Sequence, residues 1–171
     1  LEINISKQMT SKAISCFLCA AVALLCSCSS ASKGHVVTSK GTRITSVRTT
    51  AYTHSESDHI IYGARTAVGT PLKFGTVRSA AADWSVYPVG TIFQIEGTPN
   101  IYQVDDYGSA LVGTNTIDIY QPTKAQMKAW GVRSVNIRVL KWGSFSKSVA
   151  IMKERQKYGH VRSMVSRIQR S

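Results

Sequence analysis

No cysteine lies beyond Cys28, so everything after it must fold without a disulfide. From about residue 44 to residue 142 the chain is a succession of short β-rich runs cut by glycine and proline. Val47-Arg48-Thr49-Thr50-Ala51-Tyr52 is rich in threonine and suits a half-buried strand. Residues 91–95 and 101–104 flank Glu96-Gly97-Thr98-Pro99-Asn100, a hairpin signal with a glycine in a short loop. Residues 116–120 alternate, which predicts Ile117 and Ile119 on one face and Asp118 on the other. Residues 135–140 form a closing strand. Gly63, Gly69, Pro71 and Gly75 punctuate a long irregular connection. Residues 123–130 carry good helix formers after Pro122, and Gly131 can end the helix in a left-handed conformation. Many short strands with one short helix predict a mainly β domain closed into a small barrel. At 171 residues and 43% hydrophobic, the chain can fill one modest core and not two.

The four cysteines, Cys16, Cys19, Cys26 and Cys28, cluster in and just after an apolar run. Lys7 and Lys12 precede that run, residues 13–25, which has the length of a secretory signal core and is short for a spanning helix. Met9, just before it, is an alternative start. Leu25-Cys26-Ser27-Cys28 resembles a lipobox with Cys28 as the acylated residue; simple cleavage and release is the alternative. Residues 1–28 are therefore read as a lipoprotein-type signal peptide. The expected location is the cell envelope, by a lipid anchor in the membrane. Ser29 after the cysteine would suit the outer membrane, facing the periplasm, of a Gram-negative cell. Residues 29–46, rich in Ser, Thr, Lys and Gly, read as a flexible tether.

Charge is uneven. Residues 1–47 hold five basic and one acidic side chain, 48–143 nine and seven, and 144–171 seven and one. The excess sits in the flanks, which argues against nucleic acid as a partner of the folded domain. Residues 47–142 are taken as that domain and 143–171 as a basic C-terminal segment. In that segment Ile151, Tyr158, Val161, Val165 and Ile168 recur at near-helical spacing among lysines and arginines. It is either a basic amphipathic helix for an anionic surface or a loose appendage interrupted at Gly159. The run from Lys153 to Lys157 reads as solvated charge. His35, His54, His59 and His160 have no metal-ligand spacing, and His54 and His59 read as part of a solvated loop. No metal or cofactor is expected.

Carboxylates are few in the domain, so their positions are informative. Asp83 follows three alanines and precedes Trp84. Asp105 and Asp106 end a strand before Tyr107-Gly108. Asp118 stands between two isoleucines and must face solvent, a cleft or a partner. An ordinary solvent-face aspartate and a catalytic one remain open on these grounds.

Six segments taken together resemble a known family. They are Arg65-Thr66-Ala67-Val68-Gly69-Thr70-Pro71-Leu72, Ala82-Asp83, Tyr87-Pro88-Val89-Gly90-Thr91, Asp106-Tyr107-Gly108-Ser109-Ala110-Leu111-Val112-Gly113, Ile117-Asp118-Ile119-Tyr120 and Ala129-Trp130-Gly131. They resemble, in order and spacing, the three-aspartate ("3D") domain of the membrane-bound lytic transglycosylase A group and of stationary-phase or resuscitation-type muralytic proteins. The resemblance implies a six-stranded double-psi β-barrel and the aspartates Asp83, Asp106 and Asp118. Trp84 stands where the family usually has proline, and Tyr107 where it often has a small residue.

That resemblance implies a monomer acting on peptidoglycan glycan strands as a lytic transglycosylase, with Asp118 as acid and then base. One carboxyl group suffices for this chemistry. It protonates the glycosidic oxygen, then accepts the proton of the muramyl 6-hydroxyl as that hydroxyl closes a 1,6-anhydro ring. Asp106 and Asp83 are expected to keep Asp118 protonated by repulsion and to bond sugar hydroxyls. Tyr52, Thr53, Tyr107 and Gly108 are candidates for lining the groove, with Tyr52 equally suited to the core. A non-catalytic wall-binding module and a glycan hydrolase are the competing readings.

Overall fold

The structure, a computed structural model, describes residues 41–56 and 60–171. The segment read as a signal peptide, Cys28, the expected tether as far as residue 40, His35 and His59 lie outside the described residues. Six strands, β1 (Thr42–Tyr52), β2 (Val77–Ala81), β3 (Ile92–Ile95), β4 (Ile101–Asp106), β5 (Thr116–Tyr120) and β6 (Arg133–Lys141), close into a barrel in the order β1-β5-β2-β4-β3-β6. β1 with β5 and β2 with β4 run parallel, and the other neighbours run antiparallel. This is the six-stranded mixed barrel that the resemblance implies, and its closure leaves no free sheet edge.

Alternation along the strands builds the core. Ile117 and Ile119 point inward and are fully buried, as are Phe93, Tyr102, Ile137 and Trp84. Phe93 and Tyr102 face each other across the expected hairpin and stack at 5.3 Å. α1 (Lys124–Trp130) also forms as expected. Thr123 caps it by accepting from the Gln126 N–H, and Gly131 ends it at a φ of 62°.

Two strands depart from expectation. β2 lies at the end of the stretch read as irregular. Its residues, Val77-Arg78-Ser79-Ala80-Ala81, are mostly small, and it is held by β4 on one side and β5 on the other. β1 begins at Thr42, where Arg43 meets Glu96 at 3.0 Å. A bulge between Ile44 and Val47 follows, with Ser46 at a φ of 55° and its N–H bonded to Asn136 Oδ1.

The C-terminal segment folds onto the barrel. α2 (Phe145–Met152), a 3-10 turn at Lys153–Arg155 and α3 (Gly159–Arg170) follow β6. Met152, Val161, Met164 and Val165 are buried in the same cluster as the barrel core. The apolar stripe of α3 is thus used inside the protein, and the segment is no loose appendage. Its entry is tight: a side chain at Gly143 would collide with the carbonyl oxygens of Pro88 and Val89. Ser144 then caps α2, and Ser148 Oγ accepts from the Val89 N–H at 2.9 Å.

Candidate functional site

Asp118 sits in β5 with Thr50 of β1 opposite it on one side and Ala81 of β2 on the other. The parallel register lets Thr50 Oγ1 donate to Asp118 Oδ1 at 2.7 Å. The carboxyl is half-buried, and its pKa is pushed up to about 6, first by burial. The Thr50 hydrogen bond and Arg48 pull it down, while Glu56 and Asp106 push it up. Roughly a tenth of the molecules would carry the proton at pH 7, against about one in a thousand for an ordinary aspartate.

Asp106 ends β4 and is buried. Its Oδ1 accepts from the N–H groups of Ala67 at 3.0 Å and Tyr107 at 2.9 Å. Its Oδ2 accepts from the Tyr52 hydroxyl at 3.2 Å. Burial raises the Tyr52 pKa well above the usual range, and the carboxylates of Asp106, Asp105 and Asp118 add to the effect. Tyr52 is therefore the common neighbour of these acids.

Asp83 is placed differently. It is fully buried; Oδ1 accepts from the Ser85 N–H and hydroxyl, and Oδ2 from the Gly113 N–H at 2.8 Å. Arg167 of α3 completes the set with an ion pair at 2.9 Å. The structure brings Asp106 and Asp118 into one electrostatic neighbourhood, while Asp83 ties the turn after β2 to the C-terminal helix. Asp105, which falls outside the three-aspartate pattern, is also buried, beside Lys73 at 2.9 Å and Ser79 at 3.0 Å. A bulge between Ala80 and Ala81 shifts the β2–β4 register here, so the two adjacent acids are both enclosed.

A groove of about 610 Å³ opens beside Asp106. Residues 65–67, Gly69 and 106–109 line one side, and residues 154, 155, 157, 158 and 160 the other. Tyr107 and Gly108 line this groove. Tyr52 and Thr53 are buried, with the Thr53 N–H bonded to Glu56 Oε2. Asp118 does not line this groove.

Several residues at the site escaped sequence reasoning. Thr50 and Glu56 act on Asp118 from a neighbouring strand and the loop after it, and only the parallel register reveals them. His54 is half-buried, its Nδ1 2.8 Å from the Tyr120 hydroxyl, where a solvated loop was expected. Arg155 donates to the Ala67 carbonyl at 2.8 Å, and His160 packs near the Tyr107 ring at 5.9 Å. Two of the departures from the family pattern touch each other: Trp84 and Tyr107 meet edge to face at 4.9 Å.

Comparison with known proteins bears on this geometry. The cell wall-binding protein YocH of Bacillus subtilis (strain 168) is 36% identical over 95 residues, covering 55% of this chain and 31% of YocH. YabE of the same strain is 34% identical over 99 residues, covering 57% of this chain and 23% of YabE. The chain thus matches under a third of either relative's length. The crystal structure of MltA from E. coli is similar at 25% identity over 46% of this chain and 28% of MltA, with a TM-score of 0.37. Superposition that loose transfers no residue roles. The family profile described as "3D domain" matches residues 78–141, from within β2 to the end of β6, and spans Asp83, Asp106 and Asp118. This chain carries a 3D domain over residues 78–141.

Proposed function

We propose that the protein binds peptidoglycan glycan strands and cleaves the MurNAc–GlcNAc β-1,4 bond as a lytic transglycosylase, with Asp118 as general acid and then base. The observation that carries this reading is the setting of Asp118: a half-buried carboxyl on a closed barrel, bonded by Thr50 at 2.7 Å, with a pKa of about 6. Such a group holds a proton close to neutral pH, as an acid must, and is rigidly aimed. Asp106, fixed by two backbone N–H groups and Tyr52, is assigned to the ligand side, at the groove with Tyr107 and Gly108. Asp83 is assigned a positioning role through Arg167. Export to the cell envelope and acylation at Cys28 belong to the same reading.

A second reading, a wall-binding module without cleavage, is favoured by one observation. Asp118 lies off the groove that Asp106 lines. The name of the relative YocH, cell wall-binding protein, points the same way. Digestion of purified sacculi followed by mass spectrometry separates the readings. Anhydromuramyl ends, lost in Asp118→Asn while sacculus binding persists, support the transglycosylase. Reducing ends indicate hydrolysis. Intact glycan with the protein pelleted indicates the binding module.

A further inference from the structure

We propose that Arg65 on the barrel side and Arg155 and Lys157 of the C-terminal segment form a cationic subsite in the groove, which takes carboxylate groups of the stem peptides carried by the glycan. The inference rests on the wall reading above and adds the part of the substrate that the far wall recognises.

The groove is bounded by the barrel on one side and by residues 154–160 on the other. Its volume, about 610 Å³, is that of a site for a sizeable ligand. The C-terminal wall is fixed in place. Arg155 Nη1 donates to the Ala67 carbonyl at 2.8 Å and lies 3.4 Å from the Tyr107 hydroxyl. Ala67 in turn donates its N–H to Asp106, so the wall is joined to the candidate carboxylate through one residue.

Charge then indicates the ligand. Three cations, Arg65, Arg155 and Lys157, and two acids, Asp106 and Glu154, line the groove, and none of the three cations is ion-paired with a carboxylate among the described residues. Arg65 and Lys157 are solvent-exposed. Arg65 uses one nitrogen on the Gly69 carbonyl at 3.0 Å and keeps further donors. The Lys157 ammonium stands 5.2 Å over the ring of Tyr158, which is 46% exposed and offers an aromatic face. A neutral sugar backbone needs no such cations. Carboxylates on its substituents do, and guanidinium and ammonium groups bind them by charge-assisted hydrogen bonds. The peptide end belongs beside Arg65 and Lys157, and the sugar beside Tyr107 and Gly108.

The test uses full-length Asp118→Asn, which is expected to retain binding, on three preparations: intact sacculi, sacculi stripped of stem peptides by an amidase, and sacculi freed of phosphate polymers by acid. Intact and phosphate-free material should retain the protein equally, and stripping should weaken retention about tenfold. Adding Arg65→Glu and Lys157→Glu should lower retention on intact sacculi about tenfold and leave stripped glycan unchanged. Equal retention on stripped and intact glycan overturns the inference. So does loss of retention on phosphate-free sacculi, which would make phosphate the anion. Retention on none of the three overturns the wall reading itself.

Discussion

Thr50 and Asp118 lie opposite each other across the parallel β1–β5 pair, and the threonine hydroxyl donates to the carboxyl at 2.7 Å. That bond favours the charged form and opposes the burial that raises the pKa to about 6. Thr50→Val should therefore lift the Asp118 pKa further, by about one pH unit. Carbon-detected NMR titration of the side-chain carboxyl reads this directly. If Asp118 is the acid, the alkaline limb of the cleavage rate moves up with it. A midpoint that stays put or drops would show that the hydroxyl does not govern the proton.

The same carboxyl limits stability. Its folded pKa is raised above its ordinary value of 3.8, so the folded state resists ionisation. The penalty is absent below pH 3.8, grows as pH rises and is complete above about pH 6. A displacement of that size corresponds to about 3 kcal/mol at most. Asp118→Asn keeps an acceptor for Thr50 and removes the charge. Urea denaturation at pH 7.5 should find the variant more stable by about 1–3 kcal/mol, with the gain shrinking towards pH 4. A variant less stable at pH 7.5 than at pH 4, relative to wild type, contradicts the reading.

What could be read from the chain was local. Alternation placed Ile117 and Ile119 inward with Asp118 between them, and Thr123 and Gly131 marked both ends of α1. What could not be read depended on distant segments meeting. Thr50 and Asp118 are 68 residues apart, and no local pattern sets a parallel register. β2 has few strong strand formers and is defined by its neighbours. The bulge at Asp105 breaks the period of two that would have sent one of the adjacent acids to solvent. The stripe on α3 looks the same in sequence whether it covers a barrel or a membrane, because amphipathicity does not name its partner. Asp83 fits the three-aspartate pattern equally well as a groove residue and as the buried partner of Arg167; only the fold distinguishes them.

Arg167 therefore gives a further prediction. Asp83 is fully buried, and Arg167 is the cation beside it. Arg167→Met keeps the hydrophobic stem and leaves the carboxylate with only its bonds from Ser85 and Gly113. Removing one partner of a buried pair costs about 3–5 kcal/mol, and partial exposure of Arg167 reduces this to about 2–3 kcal/mol. Asp83→Asn in the Arg167→Met background should recover part of that loss. A denaturation cycle over the four proteins measures the coupling, and a coupling indistinguishable from zero would reduce the pair to a surface contact.

The last prediction concerns the whole C-terminal segment. Ending the chain at Trp142 removes Met152, Val161, Met164 and Val165 from the core cluster. Burial of each such side chain contributes about 1.5–3 kcal/mol, so the four together approach the whole stability of a small domain. It also removes Ser148, whose hydroxyl accepts from the buried Val89 N–H. The truncated protein should lose its cooperative thermal transition and bind a hydrophobic dye, while Lys157→Ala, altered only at an exposed position, should melt like the wild type. Calorimetry together with dye fluorescence decides the matter. A truncated barrel that unfolds cooperatively near the wild-type temperature would show that the helices only decorate it. The far wall of the groove could then be removed for study without disturbing Asp118.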